Sequence, residues 1–132
     1  MENEGPIFVV DDEERIRVLV QDALDLIYGG HVRTFANGQE ALLAMKQGVT
    51  PKLVITDIRM PVMDGPTLIR AIRGQHSIQD LPIIVMSGTP EDINGFGGYN
   101  AFLAKPPDIG KLEMALALCL NAPYAGIAGK SR

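Results

Sequence analysis

Short apolar runs alternate with longer stretches of helical periodicity along the chain. Ile7 to Val10, Leu53 to Thr56 and Pro82 to Met86 lack regular polar alternation. That is the pattern of short strands covered on both faces. His31 to Phe35 and Ala101 to Ala104 read as two further strands. Ile16, Leu19, Val20, Ala23, Leu24 and Ile27 recur at three- and four-residue steps, which predicts a helix over Glu13 to Tyr28, ended by Gly29-Gly30. Asn37 with Glu40 predicts an N-cap and capping box, with the helix continuing over Ala41 to Lys46. Gly65 to Arg73 reads as a third helix with Leu68, Ile69 and Ile72 inward. Asp108 caps a last one, whose inner face carries Ile109, Leu112, Leu116 and Cys119.

Strand and helix thus alternate, which implies an α/β fold with a parallel sheet and helices on both faces. One unit breaks the rhythm. A fourth helix is expected between the strands ending at Met86 and starting at Ala101, but Gly88 to Gly98 reads GTPEDINGFGG. Each glycine disfavours helix by about 1 kcal/mol relative to alanine. At most a short helical turn from about Glu91 is expected there, then an irregular loop.

Composition adds bounds. The 132 residues suit one domain, and 46% hydrophobic with 21% charged residues suits a globular one. A domain over 1-120 and a short tail over 121-132 are expected. Net charge is −4, which argues against a nucleic-acid partner. The lone Cys119 offers neither a disulfide framework nor a zinc cluster, and reads as a small core residue. The start MENEGPIFVV has no signal-peptide character and no run approaches a membrane span, so a cytoplasmic protein is expected. His31 and His76 read as surface or strand-end residues, and Met60 and Met63 as packing residues.

Four of the five expected strands end in polar groups: Asp11-Asp12, Asp57, Ser87 and Lys105. Ligands of open parallel sheets bind beyond the carboxyl ends of the strands, where these groups converge. Singly, each has an ordinary explanation. Asp57 reads equally well as a turn cap, Asp11-Asp12 as acids at a helix start, Ser87 as a turn serine and Lys105 as a surface lysine. Together they make a cluster of carboxylates that requires a cation, and Mg2+ suits an all-oxygen set. An ionised aspartate is a nucleophile toward phosphorus, with Mg2+ and Lys105 supplying positive charge and Ser87 a hydrogen bond.

Four blocks carry a family resemblance: VVDDE at Val9 to Glu13, VITDIRMPVMDG at Val54 to Gly65, MSG at Met86 to Gly88 and AFLAKP at Ala101 to Pro106. Over residues 6 to 120 the sequence resembles the receiver domain of two-component response regulators. The resemblance implies a flavodoxin-like, doubly wound five-stranded parallel sheet of order 2-1-3-4-5, in (βα)5 form with a shortened or irregular fourth helix. It implies that Asp57 accepts a phosphoryl group with Lys105 and Ser87 assisting. It implies a metal site of Asp11, Asp12, Asp57 and the backbone carbonyl of Arg59, whose side chain would project over the site entrance. Ser87 and Phe102 would form the switch, Arg59 and Thr89 would tune phosphoryl lifetime, and the Lys105-Pro106 bond would be cis.

The implied partners are a sensor histidine kinase or phosphotransfer protein and a downstream protein target. The implied role is a switch rather than an enzyme, acting as a monomer or weak dimer. The sequence departs from the pattern in the short Ser87 to Lys105 segment, in Gly88 for the usual alanine and in Pro107 for a larger residue. An altered output face follows, and with it the expectation that the family's common dimer does not form there. Two other functions compete. One is a phosphorylation-independent interaction scaffold of the same fold. The other is a phosphohydrolase resembling the haloacid dehalogenase family, which places a second aspartate where this chain has Arg59.

Overall fold

A computed structural model describes residues 4–120 of the chain. The tail expected over 121–132 lies outside the described residues. Five strands form one parallel sheet of order β2-β1-β3-β4-β5. They are β1 (Ile7–Val10), β2 (Val32–Phe35), β3 (Leu53–Asp57), β4 (Ile83–Ser87) and β5 (Ala101–Ala104). Four α-helices accompany them: α1 (Glu14–Ile27), α2 (Gly38–Lys46), α3 (Gly65–Arg73) and α4 (Ile109–Cys119).

Both faces of the sheet are covered, which is why its central strands are apolar throughout. On one face Phe8, Val10, Val54 and Val85 pack under Ala41 and Leu42 of α2 and Leu68, Ile69 and Ile72 of α3. On the other, Val9, Ile55, Ile84 and Met86 pack under Ile16, Val20 and Leu24 of α1 and Leu112 and Leu116 of α4. Full burial of such a side chain contributes about 1.5–3 kcal/mol. That is enough for this core to hold a few costly polar groups at its rim.

The helix starts obey the capping rules. The Asn37 side chain accepts from Glu40 N–H at 3.0 Å, and Glu40 Oε1 accepts from Ala36 N–H at 3.1 Å. Asp64 and Asp108 cap α3 and α4 by accepting from the N–H groups of Thr67 and Lys111.

Two inward assignments are corrected. Leu19 is 41% exposed and Ile109 is 37% exposed. Leu19 lies at the edge of the buried stripe of α1, and Ile109 opens α4 before that helix meets the core. Cys119 is half-buried against the α1–α4 core.

Between β4 and β5 only a 3-10 turn forms, Pro90–Ile93. The rest of that segment is held by side chains rather than by a helix. Ile93, Phe96 and Tyr99 pack half-buried against the α2–α3 core, with the Phe96 and Tyr99 rings 5.4 Å apart. Asn100 N–H donates to Ile83 O at 2.7 Å, and its side-chain oxygen accepts from Ile83 N–H at 2.8 Å.

Candidate functional site

The parallel register lines up the strand ends. Val10 pairs with Thr56, Asp57 with Met86 and Ser87 with Ala104. Asp11, Asp57, Ser87 and Lys105 therefore arrive along one edge of the sheet, at the β1/β3 crevice where the winding order reverses.

Asp57 is 7% exposed at the tip of the central strand. Its Oδ1 accepts from Ile58 N–H at 2.8 Å and its Oδ2 from Lys105 Nζ at 3.1 Å. Asp11 is fully buried, and its Oδ1 accepts from Glu13 N–H at 2.8 Å. Its Oδ2 has no hydrogen bond of good geometry, although Lys105 Nζ lies 3.0 Å away. Glu13 Oε1 stands 3.2 Å from the same ammonium, which thus faces three carboxylates. Arg17 donates to the Asp11 carbonyl at 2.6 Å and ties the start of α1 to the end of β1. The Lys105-Pro106 peptide is cis.

The electrostatics are unbalanced. Burial pushes the Asp57 carboxyl above the ordinary carboxylate value, the Asp11 charge pushes it further, and Lys105 opposes both. Burial likewise raises Asp11, against the Glu13 N–H and Lys105. For Lys105, burial disfavours the charged form, but Asp11 and Asp57 outweigh it and hold the ammonium protonated well above its ordinary value.

One carboxylate oxygen from each of Asp11, Asp12 and Asp57 lies within 4.8 Å of the others. A buried carboxylate oxygen without a well-directed donor, beside two further acids, fits a hard divalent cation with oxygen preference. The acid set is thus compatible with Mg2+. Among the described residues no other group of three His, Cys, Asp or Glu side chains brings its ligand atoms that close to one another.

The loop after β3 returns to the strand at once. Gly65 N–H donates to Ile58 O at 2.8 Å. Within that loop Val62 has φ 71°, a left-handed conformation that a β-branched residue rarely adopts. Met60 and Met63 pack half-buried against the core, and His31 and His76 are exposed.

Ser87 is buried, but its hydroxyl is engaged locally. It donates to Thr89 O at 2.8 Å and accepts from Thr89 N–H at 3.0 Å. Phe102 is half-buried beside the α2–α3 core. The Arg59 side chain is turned to a partner that sequence reasoning missed. Its Nε and Nη2 donate to the two carboxylate oxygens of Asp92 at 2.8 and 2.6 Å. A groove of about 370 Å³ opens beside the acid cluster, with Ile16, Leu19 and Pro106 as apolar walls and Glu13, Arg15 and Lys105 as charged rim.

Residues 7–117 match the family described as the response regulator receiver domain. The chain belongs to this family. Receiver domains of two-component systems are signalling phosphoacceptors, and they use Mg2+ at an acidic pocket of this kind.

Among curated proteins, the receiver is 37% identical over 122 residues to the DNA-binding transcriptional regulator NtrC of Salmonella typhimurium, with 89% of this chain and 24% of that protein covered. It is 36% identical over 115 residues to the two-component response regulator ORR41 of Oryza sativa, with 84% and 91% covered. The chain thus spans about a quarter of the first relative and most of the second. A solved signal receiver domain of an HD domain-containing protein from Pseudomonas fluorescens superposes with a TM-score of 0.78 at 27% identity, covering 90% of this chain and 96% of that one. Among the described residues no helix is long and apolar enough to cross a membrane.

The imbalance predicts a stability effect. Asp57→Asn removes one of two mutually repelling buried carboxylates, while Lys105 keeps Asp11 and Glu13 within 3.0 and 3.2 Å. In metal-free buffer at neutral pH the variant should be about 1–2 kcal/mol more stable than wild type. The pH sign follows from the raised carboxyl. Between the ordinary value of 3.8 and the higher folded value, the folded protein holds a proton that the unfolded chain has lost. Stability from this site is complete below 3.8 and declines as pH rises through the folded value. Urea unfolding from acid to neutral pH with chelator present checks both points. A variant that is less stable than wild type, or as steep in pH, contradicts them.

Proposed function

We propose that this receiver takes a phosphoryl group on Asp57 from a phosphohistidine of a sensor histidine kinase or phosphotransfer protein, and so changes its binding of a downstream protein target in the cytoplasm. The observation that carries this reading is the position of the Asp57 carboxylate, buried at a strand tip between Asp11 and Lys105. The groove beside Lys105 has the mixed apolar and charged lining that suits a donor protein's helix.

In this reading an Asp57 carboxylate oxygen attacks phosphorus. The new O–P bond forms as the P–N bond to the donor imidazole breaks, and the imidazole leaves neutral, keeping the proton already held on its other ring nitrogen. Asp11, Asp12, Asp57 and the Arg59 carbonyl would hold Mg2+, which supplies positive charge to the phosphoryl oxygens. Lys105 turns its ammonium from the carboxylates to one of those oxygens. Phosphoryl transfer asks a protein mainly for such positioning and charge.

The switch begins at Ser87. Its hydroxyl leaves the Thr89 carbonyl to donate to the phosphoryl group, and Phe102 follows into the space released. The phosphoryl group biases this equilibrium only through contacts that differ between the two states. Water attack on phosphorus resets the site, at a rate set in part by Arg59 and Thr89 at its rim.

Intact mass after incubation with Mg2+ and acetyl phosphate tests the reading. Wild type should gain one phosphoryl group. Asp57→Asn, and wild type with chelator, should gain none. If folded wild type gains none from acetyl phosphate or from a phosphorylated histidine kinase, the phosphoacceptor reading fails and an interaction scaffold takes its place.

A further inference from the structure

The Arg59–Asp92 pair joins the loop after the acceptor strand to the turn that replaces the missing helix. Its two ends differ in exposure. The Arg59 side chain is 79% exposed, whereas that of Asp92 is 11% exposed. The guanidinium is therefore free to swing, and it is the cover over a carboxylate that water hardly reaches. The two hydrogen bonds, at 2.8 and 2.6 Å, have the parallel fork geometry that makes Arg–carboxylate pairs stronger than ordinary surface pairs.

The segment carrying Asp92 is held unequally along its length. Its far end is fixed to the body of the domain. Gly98 O accepts from both Arg73 Nε and Nη2, and Asn100 is hydrogen-bonded to Ile83 through backbone and side chain. Its near end, the Pro90–Ile93 turn, is tied to the neighbouring loop by the Arg59 fork and rests on the core through the half-buried Ile93. The turn's own hydrogen bonds are local, from Asp92 N–H to Thr89 O and from Asn94 N–H to Glu91 O.

Arg59 lies two residues after Asp57. A phosphoryl group on Asp57 brings about two negative charges and three strong acceptors near its reach, against the single charge of Asp92. We propose that Arg59 and Asp92 form a charge latch that holds the Pro90–Ile93 turn to the β3 loop, and that phosphorylation of Asp57 opens it by drawing the guanidinium away. Once Arg59 leaves, Asp92 loses its cation and the turn loses the fork that ties it to the β3 loop. The turn, no longer held to the β3 loop, is then released to move. Departure of one side chain is thereby converted into displacement of a backbone segment, at the place where a helix is missing.

This inference rests on the phosphoacceptor reading and is tested beside it. Amide hydrogen exchange of Asp92 and Asn94, read by NMR on the full chain, reports the turn. Phosphorylation of wild type with acetyl phosphate and Mg2+ should speed both amides by roughly fivefold. Asp92→Asn and Arg59→Gln should show that faster exchange without phosphorylation and gain little more from it. Arg59→Lys, which keeps the charge, should recover part of the protection. Intact mass of the same samples separates the two ideas. An adduct on wild type with unchanged exchange overturns the latch alone, and so does unphosphorylated Asp92→Asn with exchange equal to wild type. Absence of any adduct overturns the phosphoacceptor reading and the opening step with it.

Discussion

Gly65→Ala should destabilise the domain by roughly 2–4 kcal/mol and sharply slow phosphoryl uptake, although it adds a single methyl group. The added Cβ would overlap the carbonyl oxygen of Asp57 and stand 3.1 Å from the Cα of Ile58. Both are backbone atoms, so no side chain can rotate out of the way. One of two elements must move. β3 is buried throughout and paired on both sides, to β1 and to β4. The start of α3 therefore yields, and with it the Gly65 N–H bond to Ile58 O and the seating of Leu68, Ile69 and Ile72. The Asp57 carboxylate is disturbed as well, because its Oδ1 is oriented by the N–H of Ile58. Urea unfolding and the initial rate of mass gain from acetyl phosphate measure the two effects. A variant within about 1 kcal/mol of wild type would mean that α3 can lift without cost, contrary to its packing.

That glycine illustrates what could be read from the chain. The Asp64-Gly65 pair marks a helix start by local rules, and the helix is there. The reason the second residue is glycine is a contact with Asp57, eight positions earlier, which no local rule reports. The same division runs through the molecule. Runs such as IFVV and LVITD identify themselves because a strand covered on both faces has no solvent side to encode. The parallel topology then brings Asp11, Asp57, Ser87 and Lys105 to one edge, so most of the acid pocket was legible from strand ends alone. Leu19 was misplaced because a three-residue step from Ile16 is equally consistent with the centre of a buried stripe and with its edge. Which of these holds depends on the neighbouring loops, and here they leave a groove. Arg59 was legible as a residue near the site, but Asp92 is 33 positions away on a turn of no periodicity, so their pairing was not.

The least legible part of the fold, the stretch from β4 to β5, leads to the other large expected effect: Arg73→Ala should cost roughly 2–4 kcal/mol. The glycines that forbid a helix there also remove the packing face by which a helix would be held. Arg73, in the last turn of α3, does that work through its guanidinium. It donates to Gln79 O at 2.9 Å, Leu81 O at 2.6 Å, Gly98 O at 2.6 and 2.9 Å, and Asn100 Oδ1 at 3.1 Å. These acceptors belong to two separate connections, the one entering β4 and the one entering β5. A planar fork with five donors can satisfy both at once, whereas a lysine ammonium cannot span them, so Arg73→Lys should recover only a minor share. Gly98 allows the approach: it has φ 89°, and a Cβ there would meet Ile69 Cγ2 at 2.8 Å. The loss should show as a lower urea midpoint and as faster exchange at the Asn100 and Ile83 amides. The Asp92 amide, at the other end of the segment, should change less, because Arg59 rather than Arg73 ties that end. If Arg73→Ala costs under about 1 kcal/mol and leaves the Asn100 amide protected, the aromatic packing of Phe96 and Tyr99 holds the segment instead.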